Sequence, residues 1–252
     1  MISFDLLGLV EVSLNGDRFE ITGRKRRSLL VVLLLKHGEV VSVDDLIVEL
    51  WRGDPPDHAE NALHAHVSRL RHTVKRWCAD SGVPIELQTR FPGYALLVSG
   101  DHIDSVRFDE LCAKASALLS TSPKDAMALL RQALELWRGP ALQNVPSAPM
   151  RDQAAQRLER QRMLMTASFV EISLDMGRHI EIIPQLEALV LRNPLEERLY
   201  SQLMSALCRA GRPADALGIY HLARVALARE AGLSPSPALE RQMLHILNRS
   251  QA

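Results

Sequence analysis

Thirteen residues from His64 to Arg76, reading His-Ala-His-Val-Ser-Arg-Leu-Arg-His-Thr-Val-Lys-Arg, hold four cations, three histidines and no carboxylate. On a helix, at about 100° per residue, Leu63, Val67, Leu70, Val74 and Trp77 fall in one stripe that must face a core. The opposite face carries Asn61, Ala65, Ser68, Arg69, His72 and Arg76, with His64 on its flank. Long charged side chains normally fill a solvated face. Here small residues sit beside a forked donor and an amide, the combination needed for close approach to base edges. Arg pairs with guanine O6 and N7 and Asn with adenine N6 and N7, each bidentate contact discriminating by about 1–3 kcal/mol. Asn61, His64, Ser68, Arg69 and His72 are therefore candidate base readers. Arg71, Lys75 and Arg76 read as phosphate contacts, which add affinity without sequence choice. A solvated amphipathic helix with a chance cluster of cations is the competing account, so the surrounding elements decide.

Other chemistries find less support. His64 and His66 lie two apart, so on a helix they point about 160° away from each other and cannot share one metal ion. Cys78, Cys112 and Cys208 are odd in number and far apart, which gives neither a disulfide framework nor a zinc cluster and fits a reducing cytoplasm. No convincing carboxylate pair or nucleophile arrangement points to an enzyme, and no cofactor is implied. No apolar stretch reaches the roughly 18 residues that span a bilayer, and no secretory leader is evident, so a cytoplasmic protein without membrane contact is expected.

The 252 residues suit two domains, and 47% hydrophobic content can give each a core. Net charge is formally zero, and up to Gly100 there are 12 Lys and Arg against 13 Asp and Glu, so bulk charge does not argue for nucleic acid. Position does, because the cations gather at Arg24–Arg27 and His64–Arg76 while Asp44, Asp45, Glu49, Asp54, Asp57 and Glu60 lie on other turns.

The elements that hold the reading helix follow in order. Alternating apolar and polar residues over the first twenty, with Asn15-Gly16 as a turn, predict a small antiparallel sheet. A buried helix runs from Arg24 to Lys36 and Gly38 closes it. Ser42 to Asp45 predicts a capped helix ending near Trp51, and Asp57 to Glu60 repeats the pattern for the reading helix, beyond the linker Gly53-Asp54-Pro55-Pro56. Ile85–Arg90, the turn Phe91-Pro92-Gly93 and Tyr94–Val98 form a hairpin. Sheet, three helices and hairpin make a winged helix, whose second paired helix enters the major groove.

Arg90 at the wing tip is placed to reach the adjacent minor groove and Tyr94 a phosphate, or else Tyr94 packs under the wing and leaves Arg90 free. Trp51 either caps the core or donates its indole N–H to a phosphate. Arg24 to Arg27 read as a solvated helix start. Their opposition to the helix dipole leaves phosphates open as a reason for them.

A boundary is expected near Ser99-Gly100-Asp101, dividing the chain into 1–100 and 101–252. From Asp104 about seven helices are predicted, punctuated by Ser122-Pro123, Gly139-Pro140, Asn193-Pro194, Gly211-Arg212-Pro213 and Ser234-Pro235. Pro184 must kink its helix or lie in the first turn. Gly177-Arg178 recurs as Gly211-Arg212 after 34 residues, and Ala216, Tyr220 and Ala223 then fall at tetratricopeptide packing positions, which predicts stacked helix pairs with a protein-binding surface. The fold class is thus mainly α with a small β component, a winged helix followed by an all-α tetratricopeptide-like domain.

Leu63-His64-Ala65-His66-Val67-Ser68-Arg69-Leu70-Arg71 with Arg90-Phe91-Pro92-Gly93-Tyr94 resembles the OmpR/PhoB-type winged helix. Leu134–Leu142, Asn193–Arg198, Leu203–Leu207 and Gly211–Leu217 resemble the bacterial transcriptional activation domain. In this order the two resemble the Streptomyces antibiotic regulatory protein (SARP) family in its short form. The resemblance implies a transcriptional activator of a secondary-metabolite gene cluster that binds promoter direct repeats as a side-by-side pair, a homodimer on DNA, and recruits RNA polymerase holoenzyme. It matches Arg69 to the major-groove base reader with Ser68 and Arg71 beside it, Asn61 and His66 to backbone contacts, and Arg90 and Tyr94 to the wing. His66 falls near the edge of the core stripe on the wheel, in tension with that role. With no receiver domain and no phosphate-binding loop in the sequence, control by phosphorylation or nucleotide hydrolysis within the chain is not expected. Two other classes share parts of this pattern: a helical-repeat adaptor with an incidental basic helix, and a DNA-binding repressor.

Overall fold

The computed structural model describes residues 2–250, with side chains through residue 248. Two compact units divide at Met163/Leu164.

The first unit opens with the strands β1 (Ile2–Asp5), β2 (Glu11–Leu14) and β3 (Asp17–Phe19), an antiparallel sheet in sequence order. Phe4 faces Val12 and Val12 faces Phe19 in its register. Asn15 and Gly16 both have positive φ, 53° and 101°, as a two-residue hairpin turn with the right twist requires. Helix α1 (Arg24–Leu35) follows, and every residue from Ser28 to Leu34 is buried, so it is an all-round core helix rather than an amphipathic one.

Helix α2 (Val43–Trp51) begins where the sequence predicts, because the Ser42 hydroxyl accepts the Asp45 N–H at 3.1 Å. The start of α3 (Ala59–Ser81) differs from the predicted cap at Asp57. The helical ladder opens with Ala62 N–H donating to the His58 carbonyl, which puts His58 at the cap position with no side-chain bond.

The wing has three strands where the sequence predicts two. β5 (Glu86–Arg90) pairs with β6 (Gly93–Leu97), and β6 also pairs with the two-residue β4 (Val41–Ser42). Gly93 is obligatory at this seam, since a Cβ there would lie 1.8 Å from the Val41 carbonyl oxygen. Leu29, Leu33, Leu46, Leu63, Leu70 and Phe4 are all sealed in one core, and Trp77 meets Phe4 edge-on with ring centroids 5.8 Å apart.

Beyond a short 3-10 turn at Gly100–His102 come α4 (Asp104–Leu118), α5 (Pro123–Glu135) and the start of α6 (Pro149–Asp175), and α4, the segment after α5 and α6 all bond back onto the winged helix. The buried Asp104 carboxylate accepts the backbone N–H groups of Leu6 and Leu7 at 2.7 and 3.0 Å and a bond from Arg138 at 2.7 Å. The segment from Arg138 to Asn144 lies along Leu6–Val10, with Arg138 and Leu142 N–H donating to the Leu7 and Leu6 carbonyls. At the first turn of α6, Arg151 bonds the Glu49 carboxylate, the Glu49 carbonyl and the Ser28 hydroxyl, all out of contact with water. The compact unit therefore runs well past Gly100, where the sequence places a domain boundary.

The second unit contains the end of α6, then α7 (His179–Arg192), α8 (Glu197–Arg209), α9 (Pro213–Ala231) and α10 (Pro237–Ser250). From Asp104 the described residues thus form seven α-helices, as the punctuation predicts. The 34-residue repeat is a repeat of backbone geometry. Gly177 and Gly211 both have φ of 75°, Arg178 N–H donates to the Ser173 carbonyl as Arg212 N–H does to Leu207, and Arg178–Glu181 recurs as Arg212–Asp215. Ala216, Tyr220 and Ala223 are buried in α9. Pro184 lies inside α7, past its first turn. Among the described residues, no helix is long and apolar enough to cross a membrane.

Candidate nucleic-acid interface

The buried residues of α3 are Leu63, Val67, Leu70, Val74 and Trp77, the stripe that spacing alone defines. They fix the rotation of the helix, and Asn61, His64, Ala65, Ser68, Arg69, His72, Lys75 and Arg76 are all exposed. Arg69 makes no ion pair or side-chain hydrogen bond among the described residues, and one helical turn before it on this face stands the small Ala65. A cation left unpaired beside a small residue can approach a surface that a bulkier neighbour would hold off.

The two flanks of α3 are engaged differently. On the wing side, Arg71 donates from Nε to the Leu87 carbonyl at 3.1 Å and from its terminal nitrogen to the Thr89 hydroxyl at 2.9 Å. These bonds tie the helix to β5, so Arg71 is a brace rather than the free phosphate donor the sequence suggests. Its place on the wheel, about 80° from the centre of the core stripe, is the signal that could have shown this. Tyr94 is likewise packed under the wing at 6% exposure, with His64 edge-on to its ring at 6.4 Å, and burial raises its phenol pKa. Arg90 is exposed, with Nε on the Gln88 amide oxygen at 2.8 Å, and Gln88 in turn donates to Glu86.

On the other flank, His66 is half-buried against Trp51, ring centroids 6.2 Å apart. Its Nδ1 is sealed from solvent without a hydrogen-bond partner. Burial lowers its pKa, and the charges of Arg69, Arg26 and Lys25 lower it further. Trp51 is half-buried, with the Lys25 ammonium 5.2 Å above its ring, while Lys25 also donates to the Leu50 carbonyl.

The cationic start of α1 therefore meets this flank, a convergence that the sequence does not show because Lys25 and His66 are remote in the chain. Arg27 belongs elsewhere, bonded to Glu20 and to the Asn144 and Ile21 carbonyls. The assembled surface is a helix face of amide, hydroxyl, imidazole and guanidinium groups, bordered by cations and joined rigidly to a hairpin. It suits an anionic, hydrogen-bonding groove.

Residues 17–96 match the family described as "Transcriptional regulatory protein, C terminal", and residues 103–247 match the bacterial transcriptional activator domain. The transcriptional regulator RedD of Streptomyces coelicolor is 35% identical over 98% of this chain and 70% of its own length. The regulatory protein AfsR of the same organism is 35% identical over the whole of this chain, which spans 25% of AfsR. The solved structure of Mycobacterium tuberculosis EmbR in complex with a low-affinity phosphopeptide superposes with a TM-score of 0.85 at 31% identity, covering 98% of this chain and 65% of that one. A winged helix and a bacterial transcriptional activator domain in this order, with a relative matched along most of its length, make the chain a member of the SARP family of transcriptional regulators.

Proposed function

We propose that the protein activates transcription of a secondary-metabolite gene cluster by binding promoter direct repeats as a side-by-side pair and recruiting RNA polymerase holoenzyme. Residues 1–100 supply DNA recognition and 101–252 the activating portion. The observation that carries the reading is Arg69, exposed and unpaired on the outward face of α3. It reads a base in the major groove, with Asn61, His64, Ser68 and His72 beside it. Lys75 and Arg76 hold phosphates on the same face, Trp51 and His66 the backbone on the α1 side, and Arg90 enters the minor groove. Arg71 and Tyr94 serve by holding the wing against the helix.

Arg69→Ala is expected to abolish a specific footprint while leaving the fold intact, since the side chain buries nothing. Lys75→Ala with Arg76→Ala is expected to weaken binding to every sequence and to reduce the salt slope by about one for each phosphate that is no longer neutralised. A footprint unchanged by Arg69→Ala overturns the assignment. Transcription with purified holoenzyme on the bound promoter separates activator from repressor: a rise in transcript supports activation, and a fall favours repression.

A further inference from the structure

The wing ends in a feature that the base-reading assignment does not use. Phe91, at the apex between β5 and β6, is 98% exposed, whereas the next most exposed large apolar residue among those described, Leu191, is at 75%. Scattered apolar residues on a surface need no account. A whole aromatic ring held in water at the tip of a rigid hairpin is a different matter.

The apex is fixed from three sides. Arg71 ties β5 to the reading helix through Leu87 and Thr89, Val43 N–H donates to the Pro92 carbonyl at 3.1 Å, and Gly93 sits directly against Val41. The backbone that carries the ring is thus held at a set position relative to the exposed face of α3. The four exposed apex residues, Thr89, Arg90, Phe91 and Pro92, include one cation and no carboxylate. A cation beside an apolar wedge is the pairing that minor-groove contacts use: the cation is drawn by the negative potential of the groove, and the wedge enters between base steps.

We propose that Phe91 is a minor-groove contact that sets specificity. In the complex its ring leaves water for the groove beside Arg90, against sugars and base edges, and favours an easily deformed pyrimidine–purine step at that point. The proposal rests on the DNA-binding reading of α3 and adds sequence choice outside the bases that α3 meets.

The test uses the full chain and a random-sequence duplex library. The selected duplex is then titrated with wild type, Phe91→Ala, Phe91→Trp and Arg90→Ala over a range of salt. Phe91→Ala is expected to bind about tenfold more weakly with an unchanged salt slope, because a neutral ring releases no counterions. Arg90→Ala is expected to lower the slope by about one. Phe91→Trp is expected to restore affinity, and the step preference flanking the α3 site is expected to vanish from sequences selected by Phe91→Ala. Since Phe91 packs against nothing, the variants fold as the wild type does, which a melting curve verifies. Equal affinity and an unchanged selected sequence for Phe91→Ala overturn the proposal and leave the α3 reading standing. So does a loss seen on a two-site duplex and absent on a single site, which would assign the ring to a neighbouring copy. A wild-type chain that selects no sequence overturns the α3 reading and this proposal together.

Discussion

The histidines of α3 divide by their surroundings. His64 and His72 are in water, whereas His66 is wedged beside Trp51 with one ring nitrogen sealed and unbonded. Burial first, then Arg69, Arg26 and Lys25, disfavour its charged form. Its folded pKa is therefore below the unfolded value of about 6.5, so as pH falls the unfolded chain takes up this proton first. The stability associated with a neutral His66 is present above about pH 6.5 and declines as pH drops towards the folded pKa. His66→Gln is expected to flatten that part of the curve, read as unfolding free energy from urea titrations at a series of pH values. An unaltered curve would mean that another group carries the dependence. The sequence shows the stripe of Leu63 to Trp77 and hence the outward face, because both follow from helical periodicity. It does not show which flanking residues are spent internally. Arg71 looks like a contact in one dimension and Tyr94 like either a contact or a packed ring, and the pairing of the wing with α3 shows Arg71 bonded to β5 and Tyr94 buried.

A reading helix is only as well placed as the helix packed beside it, and α2 is held by a buried ion pair. The Glu49 carboxylate accepts from the Met150 N–H at 2.7 Å and from Arg151 Nε at 3.0 Å, with both side chains at 2% exposure or less. Burial pulls the Arg151 pKa down while Glu49 holds it up, the signature of a charge kept inside by its partner. Removing one partner leaves the other charged and unpaired. Arg151→Met or Glu49→Leu alone is expected to cost about 3–5 kcal/mol of unfolding free energy, and the two together considerably less than their sum. Equilibrium unfolding in urea measures all three, and a single substitution costing under about 1 kcal/mol would show the pair to be dispensable. Elements with strong local signals are the legible ones: α1 by its apolar run, α2 by its cap, the β2–β3 turn by Asn15-Gly16. Strand β4 is too short to carry a period, and the run from Arg138 to Asn144 along the β1–β2 connection is set by partners more than a hundred residues away.

At the scale of the whole chain, composition and punctuation place a change of character near Gly100, and the two family matches meet there. Compactness does not change there. Residues on the far side of Gly100 supply groups that the winged helix cannot replace: Asp104 for the Leu6 and Leu7 amides, Asn144 for Val10, Arg151 for Glu49 and Ser28. A chain ended at residue 100 would lose Ile103 and Leu142 from its apolar core and leave these donors and the Glu49 carboxylate without their partners. Each neutral group that stays out of water in this state costs about 1–3 kcal/mol, and a stranded charge costs more. Against a total stability on the order of 5–15 kcal/mol, the shortfall is decisive. A fragment of residues 1–163 is therefore expected to unfold cooperatively with slow amide exchange in α1, and residues 1–100 to lose most of that protection. Hydrogen exchange on the two fragments makes the comparison directly. Equal protection in both would mean that water or local rearrangement satisfies Leu6, Leu7 and Glu49, and that the winged helix stands without the helices that follow it. The opposite outcome would make α4 to α6 part of the scaffold that orients the reading helix, so that whatever engages those helices bears mechanically on α2 and, through it, on Arg69.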